Sequence, residues 1–170
     1  MPITKEKISY SLDLSEKLKK VKRSDRKGVK ELVGIYLLDQ IFNDTESSKS
    51  PVTGKRFKAL SKNYKSLKKK LIGSGKADLR LTETMLPSLE ANNSTSGVRI
   101  EITNDDEIKK AYGHISGFKG HKTIKNGPKR IFLPDDKGAP VKPKGKGPDQ
   151  FRRSIVKGID EIINDFIDGD

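Results

Sequence analysis

The chain contains no cysteine, no tryptophan and only two histidines in 170 residues, and its aromatic and apolar fractions are low, at 6% and 32%. Without cysteine there are no disulfides, thiolate nucleophiles or cysteine metal sites, which agrees with folding in a reducing compartment. So little apolar material still makes one core, but it leaves a good part of the chain as solvated loop or arm. Such a composition suits a fold stabilised partly by neighbouring subunits. The longest apolar-rich stretch, residues 29–42, is interrupted by Glu31, Gly34, Asp39 and Gln40. It is too short and too polar to span a bilayer, so no membrane partner is expected. The first residues, Met1 to Lys5, lack the apolar run of a signal peptide, and none is expected.

Motifs of chemistry are equally scarce. His114 and His121 lie among glycines and lysines at a spacing that fits no usual metal site. No phosphate-cradling loop occurs: Gly73-Ser74-Gly75 is not followed by the lysine-serine pair that such a loop needs. Ser88 has no nucleophile-elbow context. Asn104-Asp105-Asp106-Glu107, followed by Lys109 and Lys110, could furnish a small metal-dependent nuclease, but a helix N-terminus accounts for the same residues more simply. The expectation is therefore no catalytic residue, no cofactor and no metal.

What the chain does have is positive charge. Lysine and arginine number 36 against 23 aspartates and glutamates, a net charge of +13. Such a field favours polyanions or acidic protein surfaces. It leaves open a sequence-nonspecific nucleic-acid-binding protein, although aromatics are sparse among the lysines and no base-reading helix is evident.

Periodicity predicts one α+β domain: an antiparallel sheet packed against long N-terminal and C-terminal helices. Residues 1–26 read as a basic N-terminal arm and 27–170 as the domain. Within the arm, Ile8 to Leu12 alternates as a short strand does and 15–22 suits a helical turn or two. Ser24 or Asp25 can cap a helix running to about Asn43. One of its stripes holds Val29, Leu32, Val33, Tyr36, Leu37 and Ile41, and a second holds Ile35, Leu38 and Phe42, which implies burial on two sides. Ser61 opens a short helix with Tyr64, Leu67 and Leu71 on one face, Lys62, Lys65 and Lys69 on the other, and Gly73 closing it. Thr82 can cap a second short helix bearing Met85, Leu86 and Leu89, despite Pro87.

Val98, Ile100 and Ile102 make the clearest strand, to Thr103. A helical turn at 105–112, a basic loop at 113–127, a strand at 129–133 and a flexible linker at 135–147 follow. A helix at 148–168 completes the domain, with Pro148 in its first turn and an isoleucine-rich stripe. Asp165 and Asp168 at its end, with Asp170 just beyond, oppose the helix dipole. Candidate interface or DNA-facing residues are thus Lys62, Lys65, Lys69, Lys119 and Lys122 on the basic side and Asp165, Asp168 and Asp170 on the acidic side.

An ordered set of motifs between Gly54 and Pro134 resembles the virion-morphogenesis and tail-completion family of tailed bacteriophages. The set comprises Gly54-Lys55-Arg56-Phe57-Lys58-Ala59-Leu60-Ser61 with Tyr64 and Lys68, then Leu79-Arg80-Leu81-Thr82-Glu83-Thr84-Met85-Leu86. Ala111-Tyr112-Gly113-His114 with Gly117, and Arg130-Ile131-Phe132-Leu133-Pro134, complete it. Phe57 stands where that family commonly has tryptophan, and Glu83 where it has glycine. The resemblance implies a small non-enzymatic α+β subunit of the neck or head–tail connector, made in the host cytoplasm and built into the virion. Its partners would be neck, tail-terminator or tail-tube and portal-connector proteins, with a homo-oligomeric ring and nonspecific contact with packaged DNA. Phe57, Leu60, Tyr64, Leu81, Thr82, Met85, Leu86 and Phe132 would be its packing residues.

Overall fold

A computed structural model describes residues 8–79, 84–116, 130–134 and 150–169. The fold is α+β, and the described residues form a small antiparallel sheet of three strands and five α-helices. In chain order these are β1 (Ile8–Asp13), α1 (Ser15–Leu18), α2 (Arg26–Glu46), α3 (Lys62–Ile72), β2 (Glu90–Asn93), β3 (Gly97–Ile102), α4 (Asp105–Ser116) and α5 (Arg153–Asp168). The strand order is β1-β3-β2.

The central strand, β3, is the one whose alternation is clearest. Its Val98, Ile100 and Ile102 lie opposite Leu12, Tyr10 and Ile8 of β1, so one face of the sheet carries apolar side chains from both strands. Helix α2 packs on β2 and β3, and α5 packs on α2. Two glycines allow the close approaches. A side chain on Gly34 would sit against Ala91, and one on Gly158 would overlap the Tyr36 hydroxyl. Val29, Val33, Leu37 and Ile41 of α2 and Ile155, Ile159 and Ile163 of α5 are buried in this core. The Phe151 ring, just before α5, meets Tyr10 edge-on with centroids 5.2 Å apart, a favoured aromatic geometry.

Several expectations need correction. Residues 8–21 are no arm: β1 is an edge strand of the sheet, and Leu14, Leu18 and Val21 belong to the core. Lysine between these positions hides them from a composition count, but each apolar residue is spaced to face inward. Residues 1–7 lie outside the described set. The second stripe of α2 is only half-covered, since Leu38 and Phe42 are half-buried while Ile35 is exposed, and Leu32 of the first stripe is exposed as well.

The expected helix after Thr82 is a single 3₁₀ turn, Leu86–Ser88, followed by β2. Pro87 contributes no N–H there, and the polar residues of 90–93 instead pair with β3 as an edge. The 105–112 turn is a full helix to Ser116. Residues 130–134 form no ladder; Arg130 N–H donates to the His114 carbonyl at 2.6 Å and the Ser50 hydroxyl to the Ile131 carbonyl at 2.6 Å. The last helix begins at Arg153, five residues later than Pro148 indicates. Its entry is tied down by Arg152, whose guanidinium grips Asp44 with two bonds of 2.7 and 3.1 Å. The 135–147 linker and Pro148 lie outside the described residues.

Candidate functional site

Helix α3 is built at both ends as its residues dictate. Ser61 Oγ accepts from the Tyr64 N–H at 3.4 Å, and Gly73 closes the helix with φ 70° while its N–H donates to the Lys69 carbonyl. The covered edge of the helix, however, is not its apolar face. Tyr64, a packing candidate, and Leu67 and Leu71 on the same face are 37%, 49% and 63% exposed, Lys62, Lys65 and Lys69 are exposed too, and Lys68 is 2% exposed. At 100° per residue, positions 64, 67, 68 and 71 share one sector of the helix, so spacing alone does not say which edge of it is covered.

The covered edge is decided by an ion pair. The Lys68 ammonium pairs with the carboxylate of Asp78, which is 0% exposed, and donates to the Lys76 carbonyl at 2.6 Å. A lysine enters the interior only with its charge matched and its donors occupied. The next residue, Leu79, is buried with φ 62°. A leucine in the left-handed region is strained, by roughly 1–3 kcal/mol, and the burial of Asp78 beside it holds the chain there.

Three further polar side chains are buried in this half of the molecule. Burial pushes the His114 imidazole down to about 4, and the charges of Arg130 and Lys68 push it the same way. It is therefore neutral at neutral pH. The Arg130 residue is 7% exposed, and its Nε has no hydrogen-bond partner among the described residues. Burial lowers the pKa of its guanidinium, opposed by nearby Tyr64, and burial raises that of the Tyr64 phenol, opposed by Arg130. Glu107, also buried, accepts from the Thr84 hydroxyl at 2.9 Å and from Lys110 at 2.7 Å. The cluster joins α3, the turn after it, α4 and residue 130 through charge, with its ammonium and carboxylate spent on holding the helix.

The acidic run before α4 is a helix start. Asn104 Oδ1 accepts from the Asp106 and Glu107 N–H groups at 3.0 and 3.3 Å, and Asp105 and Asp106 point outward. Among the described residues no three histidines or carboxylates gather as a metal site would need.

Of the interface candidates, Lys62, Lys65 and Lys69 are exposed on α3, and Asp165 and Asp168 are exposed on the last turns of α5. No ion pair joins any of these five to another described residue. Each aspartate costs about 0.3–1 kcal/mol against the helix dipole, and no basic residue shares their last turn. The structure keeps these two sets as separate surfaces.

Of the packing candidates, Met85, Leu86 and Phe132 are buried, Phe57 and Leu60 are half-buried, and Tyr64 is exposed rather than core. Lys119, Lys122, Asp170, Leu81 and Thr82 lie outside the described residues. Sequence reasoning missed Asp78 and the burial of Lys68 and Arg130. The signal for Asp78 was local: an aspartate between Ala77 and Leu79. Searches of family models, curated proteins and solved structures find no match.

Proposed function

We propose that this protein is a structural assembly subunit of a tailed-phage virion, acting in the neck or in tail completion and head–tail joining, with no catalytic role. The observation that carries the reading is the face of α3 on which Tyr64, Leu67 and Leu71 stand exposed, with Lys62, Lys65 and Lys69 exposed on the opposite face. Apolar side chains clustered on a polar-rimmed surface mark protein contact sites. The ordered motifs between Gly54 and Pro134 point to the same class of protein and to portal-connector, neck and tail proteins as partners. Any contact with packaged DNA is electrostatic and blind to sequence, since the net charge of +13 supplies attraction without a base-reading element.

The test is co-expression with the portal, neck and tail proteins of the same phage, followed by size-exclusion chromatography. The full chain should co-migrate with one of them, and Leu67→Asp with Leu71→Asp should abolish co-migration at an unchanged melting temperature. A chain that ignores all of these proteins and instead holds one DNA sequence at high salt would replace this reading with that of a recognition protein.

A further inference from the structure

Around α3, Arg130 is a buried charge with no counter-charge among the described residues. Its neighbours are matched: Lys68 meets Asp78, Glu107 meets Lys110, and His114 is neutral at neutral pH. One positive charge is left over in a 7% exposed residue. The backbone holds it there. The Arg130 N–H donates to the His114 carbonyl at 2.6 Å, and Phe132 and Leu133, just after it, are buried. A buried guanidinium costs stability unless its charge is met and its donors are occupied, and such an orphan points to a ligand that completes it. Its Nε is sealed from solvent without a partner among the described residues, whereas its terminal nitrogens are not so sealed. Tyr64, 37% exposed, lies close enough that its phenol and the guanidinium shift each other's protonation. Burial raises the pKa of that phenol, so it keeps a proton to donate.

We propose that Arg130 and Tyr64 bind a single carboxylate, the planar end of the guanidinium taking both oxygens and the phenol donating to one of them. Arginine and carboxylate match in this two-bonded geometry. One carboxylate cancels the surplus charge, whereas a phosphate dianion would leave a negative excess in an interior that screens it poorly. The inference goes beyond the assembly reading, since it assigns a ligand chemistry to a site. Two sources share that chemistry, a free acid and an acidic side chain of a partner protein. Leu67 and Leu71, exposed on the face of α3 that carries Tyr64, offer either source apolar surface beside the charge.

Benzoate, with one carboxylate and one apolar ring, is the probe. Titrated into the full chain, it should shift the Arg130 Nε–H resonance with a dissociation constant on the order of 1 mM. It should also raise the melting temperature as the site fills. Sodium phosphate and sodium chloride at matched ionic strength should do neither. Tyr64→Phe should weaken benzoate binding. Arg130→Met should abolish both responses and, without benzoate, melt no lower than the parent, because it removes a buried charge that has no partner. A resonance unmoved by about 50 mM benzoate, phosphate bound as tightly as benzoate, or Arg130→Met melting well below the parent would each overturn the proposal. The resonance is read on the parent chain, so the outcome does not depend on any variant folding. Benzoate added to the co-migration experiment separates the two sources: release of the partner marks a protein carboxylate, and retention with benzoate bound marks a free acid. A chain that binds benzoate but none of the portal, neck and tail proteins keeps this site and loses the assembly reading.

Discussion

The half of the molecule formed by the sheet, α2 and α5 and the half formed around α3 have interiors of different kinds. In the first, Tyr10, Val98, Ile100, Val33, Leu37 and Ile159 meet as apolar side chains, and the polar groups buried there are Asp44, paired with Arg152, Thr45, which donates to the Ile41 carbonyl, and Glu101, which accepts from Asn92. In the second, Lys68, Asp78 and Arg130 lie as deep as those hydrophobes. Apolar burial is non-directional and tolerates rearrangement. A buried ion pair is conditional: it holds while both partners are present and becomes a liability when one is lost. The second half is thus the brittle one. In it Tyr64, Leu67 and Leu71 of α3 face outward, because the ion pair has taken the inward edge of the helix.

The largest effect that would break this contrast is expected at Asp78. Asp78→Ala leaves the Lys68 ammonium buried without its counter-charge, and should cost about 3–5 kcal/mol in urea unfolding. The double replacement Lys68→Met with Asp78→Leu should recover most of that loss. A double variant as unstable as the single one would show that geometry around the pair, and not its charge, holds α3.

A smaller effect is expected with pH. The His114 imidazole titrates at about 4 in the fold against an ordinary 6.5. The unfolded chain therefore takes up its proton first as pH falls. The contribution of His114 is complete above about pH 6.5 and is lost progressively on going down to about pH 4. At about 1.4 kcal/mol per pH unit, this amounts to at most roughly 3 kcal/mol. The stability difference between the parent and His114→Gln, measured at pH 7.5, 5.5 and 4.5, should shift in favour of the variant as pH falls. A difference constant with pH would place the imidazole in a more solvated setting.

The smallest effect sharpens the contrast on the outer face of α3. Leu71, 63% exposed, should tolerate serine with a change within about 0.5 kcal/mol. Leu37→Ala, at a fully buried position of α2, should cost about 2–5 kcal/mol. Comparable losses at both sites would mean that Leu71 is covered within the monomer.

Much of the fold was legible from local rules. Alternation placed β1 and β3, helical spacing placed α2 and α5, and Ser61 with Gly73 marked both ends of α3. Each is a property of neighbouring residues, which is why the sequence determines it alone: side-chain period, a hydroxyl able to cap, a glycine free to turn left-handed. Legibility ended where the decision lay between distant residues. That 8–21 joins the core depended on β3 coming to lie beside β1, some ninety residues on. That 90–93 is a strand depended on the edge β3 offered to polar residues with little strand preference of their own.

The candidate site was less legible still. Lys62, Lys65, Lys69, Asp165 and Asp168 could be read as exposed charges from the two helical wheels. The outward turn of Tyr64, Leu67 and Leu71 could not, because one sector of α3 holds both them and Lys68. Only the tertiary structure chose between them. It brought a carboxylate ten residues beyond Lys68 into the interior, and a charge buried with its partner outweighed the pull of three apolar side chains toward the core.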